Sequence, residues 1–416
     1  MLSDEYIDEK YTQKNNFLLL IKSIITHFKK IGFHFIMLFD SNFFNPNIKN
    51  KIVFFSTSKN NDVALSPVYE TIDESILLSK DYRSRRKNFL LPLFPPLIVS
   101  LLYLPVIMIM HIFCNKKEKK RILLFFHEVL LSMGYDFCVR YYLKYLQPKG
   151  IVFANDHLYY TRSLVKQARR YNITSFYIQH SAVTEVFPPI ISSFALLDGI
   201  ESHKKYFSMV DYPINNNSFL IGAPKFDKYF RYINKNKVVK SIGVCSTQSM
   251  IKEEVENLIQ KLQSQFPNKI IFRPHPSEII NSKYHRLETG DSFQFSNSLT
   301  DSSFEFLKTV DVVISGNSSI LLEAVMLNVY PIFWDNPNQE VKYKDNPNDK
   351  YGFVQNKVVS KCNTIEEINQ KIEKLLIKKP FIRNRAKPYI HTIGTINDGA
   401  STNLAANIIL SKINTF

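Results

Sequence analysis

Residues 310–327 read VDVVISGNSSILLEAVML, a β-branched apolar run followed by a polar turn and a second apolar segment with helical spacing. This pattern predicts a buried strand, a short loop and a helix. Four other strand-like runs surround it: SIGVCST (241–247), KIIFRPHP (269–276), SFQFS (292–296) and YPIFWD (330–335). Predicted helices near 250–265, 318–327 and 364–378 alternate with these runs. Strands that alternate with helices of 10–15 residues indicate a parallel sheet.

The first half of the chain repeats the alternation. A helix is predicted for 11–31 and another helical stretch for 117–146, with further helices after 156 and near 200–209. The strand-like runs are FIMLFD (35–40), KIVFFS (51–56), IVFAND (151–156), SFYIQHS (175–181), FALL (194–197) and SFLIG (218–222). We therefore expect an α/β protein with two doubly wound, Rossmann-like domains that face a cleft.

The polar stretch YINKNKVVK (232–240) separates the two runs of alternation. It suggests an N-terminal acceptor-side domain over 1–235 and a C-terminal nucleotide-donor domain over 236–385. The remaining residues, 386–416, are expected to form a helical segment that packs back on the N-terminal domain.

The composition limits the partners and cofactors that the protein is expected to use. The 416 residues carry a formal charge of +16, which suits an anionic partner such as a phosphorylated substrate or a membrane surface. Nucleic acid is the weaker choice, because the basic residues are interleaved along the chain and the densest clusters flank one apolar run. The four cysteines form no C-x-x-C pair, and neither G-x-G-x-x-G nor D-x-D occurs, so we expect no cofactor and no metal.

The apolar run is FLLPLFPPLIVSLLYLPVIMIMHIFC, residues 89–114, which has no formal charge. Its four prolines argue against one straight helix. Basic residues at 83–87 and 116–121 flank it on both sides, which a single membrane span does not accommodate. We expect a kinked segment that dips into one leaflet, with a buried core helix and a true span as the alternatives. The polar N-terminus lacks the features of a signal peptide, so the chain is expected to begin in the cytoplasm.

Polar residues at the ends of two predicted strands of the second half form a candidate phosphate site. Arg273, His275 and Pro276 end KIIF, where arginine and histidine can donate to phosphate oxygens. Ser318 and Ser319 open the helix after VDVVI, and Glu323 lies one turn further, where it can accept from a ribose diol. Taking the two strands as neighbours, we expect both loops on one rim. Serine caps of an ordinary helix are the alternative explanation.

The first half offers candidate bases at its own strand ends. His180 follows SFYI and Asp198 follows FALL, and either could accept a proton from a substrate hydroxyl. Asp156 and His157 follow IVFA in the same way, but an ordinary loop and cap role is an even alternative for them.

The order of these motifs resembles a family. QHS (179–181), GAPKFD (222–227), RPHP (273–276) and SGNSS (315–319) with Glu323 are similar to motifs of GT-B fold transferases of bacterial surface polysaccharides. The similarity is greatest to the group of sialyl- and Kdo-type transferases and teichoic-acid polyol-phosphate polymerases. It implies that His275, Pro276, Ser318 and Ser319 bind the donor phosphate and that His180 lies near the acceptor. Ser181 stands where the family usually has glycine, and Asp198-Gly199 lacks the first acid of the family's base motif.

The resemblance implies a metal-independent glycosyltransferase of capsule or lipopolysaccharide assembly, peripheral on the inner face of the cytoplasmic membrane. Its partners would be a nucleotide-sugar donor, with CMP-linked sugars favoured, a glycan or lipid-linked acceptor and the anionic inner-membrane surface, but no nucleic acid. His180 would be the base, with Asp198 orienting it or replacing it. The alternatives are a CDP-polyol phosphotransferase, a UDP-sugar epimerase-like enzyme and a non-catalytic scaffold.

Overall fold

The alternation of strands and helices produces two all-parallel sheets. The computed structural model describes residues 16–39, 43, 45–79, 89–184, 187–208, 217–281, 283–284, 290, 292–338 and 349–413. The predicted start of the first helix at Tyr11 and the basic residues at 83–87 lie outside these ranges.

The first sheet contains seven strands in the order β3-β2-β1-β4-β5-β6-β7. Alternate residues of β1 point to opposite faces, so that Val53 and Phe55 enter one apolar cluster and Ile52 and Phe54 enter another. Both faces are therefore covered, as expected for a parallel sheet. The strands are β1 Ile52–Ser56, β2 Ser75–Ser79, β3 Phe89–Leu90, β4 Gly150–Phe153, β5 Ser175–Ile178, β6 Phe194–Leu197 and β7 Ser218–Leu220.

The second sheet contains six strands in the order β10-β9-β8-β11-β12-β13. In both sheets the chain builds outward in one direction and then returns to build outward in the other. The order reverses between β1 and β4 and again between β8 and β11, which is the doubly wound arrangement predicted from the sequence. The strands are β8 Ser241–Cys245, β9 Lys269–Arg273, β10 Phe293–Phe295, β11 Val312–Ser315, β12 Tyr330–Trp334 and β13 Ser360–Cys362.

Helices connect the strands. Those of the first half are α1 Asn16–Phe39, α2 Lys59–Thr71, α3 Phe94–Leu101, α4 Leu104–Phe113, α5 Lys116–Leu124, α6 Phe126–Leu146, α7 Tyr159–Arg170 and α8 Ile200–Ser208. Those of the second half are α9 Lys252–Gln265, α10 Pro276–Ile280, α11 Ser303–Leu307, α12 Ile320–Met326, α13 Ile365–Ile377 and α14 Ser401–Ile413. Three 3₁₀ helices span Pro46–Ile48, Pro224–Tyr232 and Arg383–Ala386.

The strand predicted at 35–40 is wrong, and the helical stretch predicted for 117–146 is helical but contains a break. The strand-like run at 35–40 continues α1 as far as Phe39, because a short apolar run fits a helix as well as a strand. The helical stretch predicted for 117–146 is two helices, α5 and α6, which meet at Phe125 with an 80° bend.

The apolar run at 89–114 is bent, as its prolines predict. It forms β3 and then α3 and α4, whose axes differ by 57°. Prolines stand in the first turn of each helix, where the missing N–H is not needed. In the part of the chain that the structure describes, no single helix has the length and apolar character to cross a membrane, although two bent pairs reach the threshold together.

A buried polar chain attaches α1 to the helices beneath it. The Lys30 ammonium donates to His127 Nε2 (2.7 Å), so His127 carries its proton on Nδ1 and donates to His27 Nδ1 (3.0 Å). His27 Nε2 then donates toward the Leu97 carbonyl (3.2 Å) and the Ser100 hydroxyl (3.1 Å). Burial lowers the pKa of His27, so the ring stays neutral in this arrangement.

Two chain segments pass between the domains. The 3₁₀ helix Pro224–Tyr232 places Phe226 and Phe230 in the apolar core of the second domain. The segment after α13 enters the same core with Tyr389 and Ile390 and then returns. Its last helix, α14, packs against the first sheet through Ala405, Ala406 and Ile409. Both carboxylate oxygens of Asp227 accept from the first amides of α14, at Ser401 N (3.1 Å) and Thr402 N (2.6 Å).

Asp227→Ala should lower the free energy of unfolding by about 1–2 kcal/mol, because the first amides of α14 lose their acceptor. Denaturant-induced unfolding measures the loss, and hydrogen exchange of 401–413 should show it locally. The control is Asp73→Ala, which removes an exposed aspartate that makes no side-chain hydrogen bond or ion pair with the described residues. Equal stability of the two variants would contradict the capping role.

Candidate functional site

The carboxyl edge of the second sheet carries the donor-side candidates. Loops leave this edge after β8, β9 and β11, and β8 lies between the other two strands. The expectation that β9 and β11 are neighbours is therefore wrong. Ser246 and Thr247, which follow β8, occupy the interval between the His275 loop and the serine loop. This interval includes the β8–β11 reversal point, where doubly wound sheets bind their ligands.

His275 is held in a defined tautomer. The backbone N–H of Ser277 donates to His275 Nδ1 (3.2 Å), so the imidazole proton is on Nε2, which is a donor. Glu278 fixes the backbone: its carboxylate accepts from His275 N (3.0 Å) and from the Ser246 hydroxyl. Pro276 begins the short helix α10. The His275 loop and the β8 loop are therefore one hydrogen-bonded unit.

The serine loop differs from a simple capped helix. Ser319 occupies the cap position of α12 without a side-chain cap bond, and its side chain is exposed. Ser318 Oγ accepts from Ile320 N at 3.4 Å, a long contact. Because α12 has only seven residues, its dipole adds little, and the two hydroxyls are the relevant donors.

The Glu323 carboxylate lies near Cys245 and Arg273, at the ends of β8 and β9. Burial raises the pKa of Cys245 and lowers the pKa of Arg273, and the charge of Glu323 acts to raise both. Its Oε2 is shielded from solvent and has no hydrogen-bond partner among the described residues. A buried acceptor without a partner costs free energy, so a ligand hydroxyl is a reasonable occupant.

Arg273 has a different position from the one predicted. The side chain is buried, and its two terminal nitrogens donate to Ser296 Oγ (2.9 Å) and to the Asp301 carbonyl (2.8 Å). It ties the end of β9 to the loop after β10. Its two hydrogen bonds are made to the protein, so they position this edge of the sheet and do not hold a phosphate.

The carboxyl edge of the first sheet carries a cluster of titratable groups. His180 is half-buried after β5, and burial, the Lys225 cation and His157 lower its pKa to about 4, against a raising contribution from its hydrogen bond to Ala154. The ring is thus neutral at physiological pH and can accept a proton. Lys225 Nζ also donates to the His180 carbonyl (2.6 Å), which fixes the end of β5.

Asp198 does not orient His180. The structure gives no hydrogen bond between the two side chains, and Asp198 Oδ1 has no partner among the described residues. Burial raises the pKa of Asp198 to about 8, and Lys225 opposes the shift. The adjacent Gly199 is required by packing, since a Cβ there would lie 2.5 Å from the Pro388 carbonyl oxygen. Asp198 is therefore a proton-carrying carboxyl beside the cluster.

Asp156 and His157 belong to the same cluster, although the sequence left their role even. Asp156 is fully buried, its Oδ1 lies 3.2 Å from His157 Nδ1 without forming a geometrically good hydrogen bond, and burial raises its pKa to about 7. Burial also lowers the pKa of His157 to about 4, and the rings of His157 and His180 lie 6.4 Å apart. Asp156 follows β4, which lies at the reversal point of the first sheet. The strand order is needed to recognise this position.

Contacts between the domains bring the two carboxyl edges together. Lys205 of α8 donates to the carbonyls of Val183, after β5, and Tyr351, in the loop after β12. Asn356 of that loop donates to Glu201 of α8 (3.1 Å). These contacts join the carboxyl end of the first sheet, at Val183 and α8, to the loop after β12 at the carboxyl end of the second sheet. Over the described residues, no group of three or more His, Cys, Asp or Glu side chains could hold a metal ion.

The comparisons with known proteins support the fold. No protein-family model matches the chain. No curated protein matches its sequence. Among solved structures, it is similar to UDP-GlcNAc 2-epimerase from Methanocaldococcus jannaschii, with TM-score 0.58, 12% identity, and coverage of 87% of this chain and 99% of that one. The epimerase from Neisseria meningitidis bound to UDP-GlcNAc gives TM-score 0.57, 11% identity, and coverage of 87% and 100%.

The wall teichoic acid polymerase TagF is also similar, with TM-score 0.53, 12% identity, and coverage of 94% of this chain and 98% of that one. At these identities the likeness concerns the fold. With two doubly wound parallel domains joined at their carboxyl edges, the chain has the GT-B fold that the sequence predicts.

Lys225→Met should raise the pKa of both His180 and Asp198, because removing a nearby cation favours the protonated form of each group. The expected result is a His180 ring that titrates above about pH 4, measured by NMR of the histidine side chains. Lys228→Met, an exposed lysine on the same 3₁₀ helix, is the matched control and should leave the titration unchanged. Identical His180 titrations in the two variants would refute the electrostatic role of Lys225.

Proposed function

We propose that this protein is a metal-independent glycosyltransferase that uses a nucleotide-activated sugar. The observation that carries the proposal is the pairing of a donor-rich edge, with His275 Nε2–H and the serine hydroxyls, and a facing edge that holds a neutral imidazole. The first kind of group stabilises charge on a leaving phosphate, and the second accepts the proton of an attacking hydroxyl. We also propose that the reaction contributes to a bacterial surface polysaccharide, either capsule or lipopolysaccharide.

In this proposal the second domain binds the nucleotide. The phosphates would lie at the reversal point between β8 and β11, which is lined by Ser246, Thr247, Ser318 and Ser319. Glu323 Oε2 would accept a hydrogen bond from a ribose hydroxyl. His275 would donate from the adjacent strand end. Fixed donors of this kind can replace a divalent cation, because they stabilise developing charge without reorganisation.

The first domain would bind the acceptor, a glycan or a lipid-linked glycan. His180 is proposed as the base, since its low pKa leaves it unprotonated above about pH 4. Asp156 and Asp198, whose pKa values of about 7 and 8 leave them partly protonated near neutral pH, are the alternative bases of this edge. They could instead hold the acceptor through hydrogen bonds from their carboxyl groups.

A UDP-sugar epimerase-like activity is the second candidate. Two carboxyl groups with pKa values of about 7 and 8 at the first-domain edge can both take and return a proton, as epimerisation at carbon requires. The similar structures named above include two UDP-GlcNAc 2-epimerases, one of them bound to UDP-GlcNAc, which favours a UDP-linked substrate over a CMP-linked donor. UDP-linked sugars are therefore the first donors to test, followed by CMP-sugars and, because of the likeness to TagF, CDP-glycerol.

His275→Ala and the double variant Ser318→Ala/Ser319→Ala should each weaken nucleotide binding and slow turnover by about 10²–10³-fold, because each removes donors to the leaving phosphate. Calorimetric titration with UDP, CDP and CMP measures affinity, and the melting temperature of the same variants reports stability. Ser298→Ala, after β10 on the far side of β9, is the control, since its hydroxyl donates to the Pro274 carbonyl. Lower melting temperatures with unchanged affinity would leave these residues with a structural role alone.

The type of reaction can be read from the products. A transferase should release free nucleotide only when acceptor is present, in buffer containing EDTA, and His180→Ala should lower kcat by about 10²–10⁴-fold with little change in donor affinity. An epimerase should convert the nucleotide sugar without acceptor and incorporate deuterium from D₂O at the inverted carbon. Release of CMP from CDP-glycerol would identify a polyol phosphotransferase, and failure to bind any nucleotide would favour the scaffold.

A further inference from the structure

The helices of the first domain expose an unusually apolar surface. Of the ten residues of α4, Ile107 alone is buried. Five apolar side chains on or beside α4 are more than half exposed: Leu102 (76%), Met108 (67%), Ile109 (54%), Ile112 (65%) and Phe113 (84%). Single exposed apolar residues are ordinary, but a continuous group of this kind marks an interaction surface.

Helix α1 extends this surface. It runs antiparallel to α3, since Phe35 lies near Phe94 (5.2 Å between ring centroids) and His27 contacts Leu97, and its Leu20 packs against the cluster that contains Ile107 of α4. Its outer face carries a second set of exposed apolar side chains: Leu18, Ile24, Ile25, Phe28, Phe33, Phe35 and Ile36. The exposed faces of α1 and α4 together are called the apolar face below.

The charges around the apolar face are predominantly positive. Helix α1 contains three lysines and no acidic residue over 16–39, and Lys22 and Lys29 are exposed. The first turns of α5, directly after α4, contain five cations and one glutamate. An apolar surface bordered by cations is complementary to an anionic lipid bilayer, in which acyl chains accept the side chains and headgroups attract the lysines.

We infer that the apolar face of α1 and α4 docks on an anionic membrane surface, with both helices lying in the plane of the interface. This inference stands independently of the proposed function. It differs from the insertion of residues 89–114 alone, because α1, more than fifty residues earlier in the chain, supplies half of the contact and two of its lysines. The buried chain from Lys30 to His27 holds that half in place.

Vesicle flotation of the full-length protein tests the inference. The protein should float with vesicles of phosphatidylcholine and phosphatidylglycerol at 3:1, and added salt should weaken binding because the lysine attraction is screened. The variant Leu102→Ser/Met108→Ser/Phe113→Ser should bind at least about tenfold more weakly, since it removes inserted apolar area. All three side chains are largely exposed, so the fold should survive.

The matched control is Ile377→Ser/Phe381→Ser/Ile396→Ser, which removes three exposed apolar side chains of the C-terminal part (81%, 64% and 99% exposed) and should float like the wild type. A second variant, Lys22→Gln/Lys29→Gln/Lys116→Gln, should lose roughly fivefold in affinity per lysine on anionic vesicles.

Three results would overturn the inference. The wild-type protein could fail to float, or the control variant could lose as much binding as the apolar variant. Light scattering could also show a dimer that the Leu102/Met108/Phe113 variant converts to a monomer while vesicle binding is unchanged, in which case the face covers a second copy of the chain. Loss of flotation in the apolar and lysine variants, with the control intact, supports the membrane.

Discussion

The parallel direction of every strand is the constraint on which the structure depends. In a parallel sheet all carboxyl ends lie on one edge, so each loop that can carry chemistry leaves from the same side. The strand order then reverses once in each sheet, which separates two loops and opens a crevice. Asp156 lies beside one crevice, and Ser246 and Ser318 lie beside the other.

The two domains depend on a second constraint, the close approach of the returning chain. Gly222 has φ of +74°, and a Cβ there would meet the hydroxyls of Thr392 and Ser401 at 2.3–2.4 Å. The amide of His391 donates to the carbonyl of Asp198 (2.8 Å). The segment that links the domains is thus packed directly against the acid–base cluster, and the backbone of Asp198 is fixed from both sides. The geometry of the site and the joining of the domains rest on the same contacts.

Most of the sheet could be predicted from the sequence, because apolar runs ending in polar residues are a strong signal for buried strands. The strands β4, β5 and β11 lie within a residue or two of their predicted starts. Strands β2, β3 and β13 were missed; β3 and β13 are only two and three residues long, and β2 follows a polar turn without flanking glycine or proline. The run at 35–40 was assigned the wrong period. For the site, polar residues at the ends of predicted strands identified His180, Asp198, His275, Ser318 and Ser319 as candidates. The strand order that places β8 between two loops, and the hydrogen bonds that occupy Arg273, arise from contacts distant in sequence, so no local pattern reveals them.

The chain of hydrogen bonds from Lys30 through His127 to His27 also determines how acid affects the protein. Each ring accepts at one nitrogen and donates at the other, so the chain runs in one direction and has a single satisfactory arrangement of protons. One more proton on His27 would set two N–H groups against each other at 3.0 Å, and one more on His127 would face the Lys30 ammonium at 2.7 Å. The pKa of His27 is lowered by folding, and the unfolded chain therefore takes up protons first, near pH 6.5. Its contribution to stability is full above that pH and falls as the pH drops below it. The contact of α1 with Leu97 and Ser100 is therefore expected to contribute less to stability in acid.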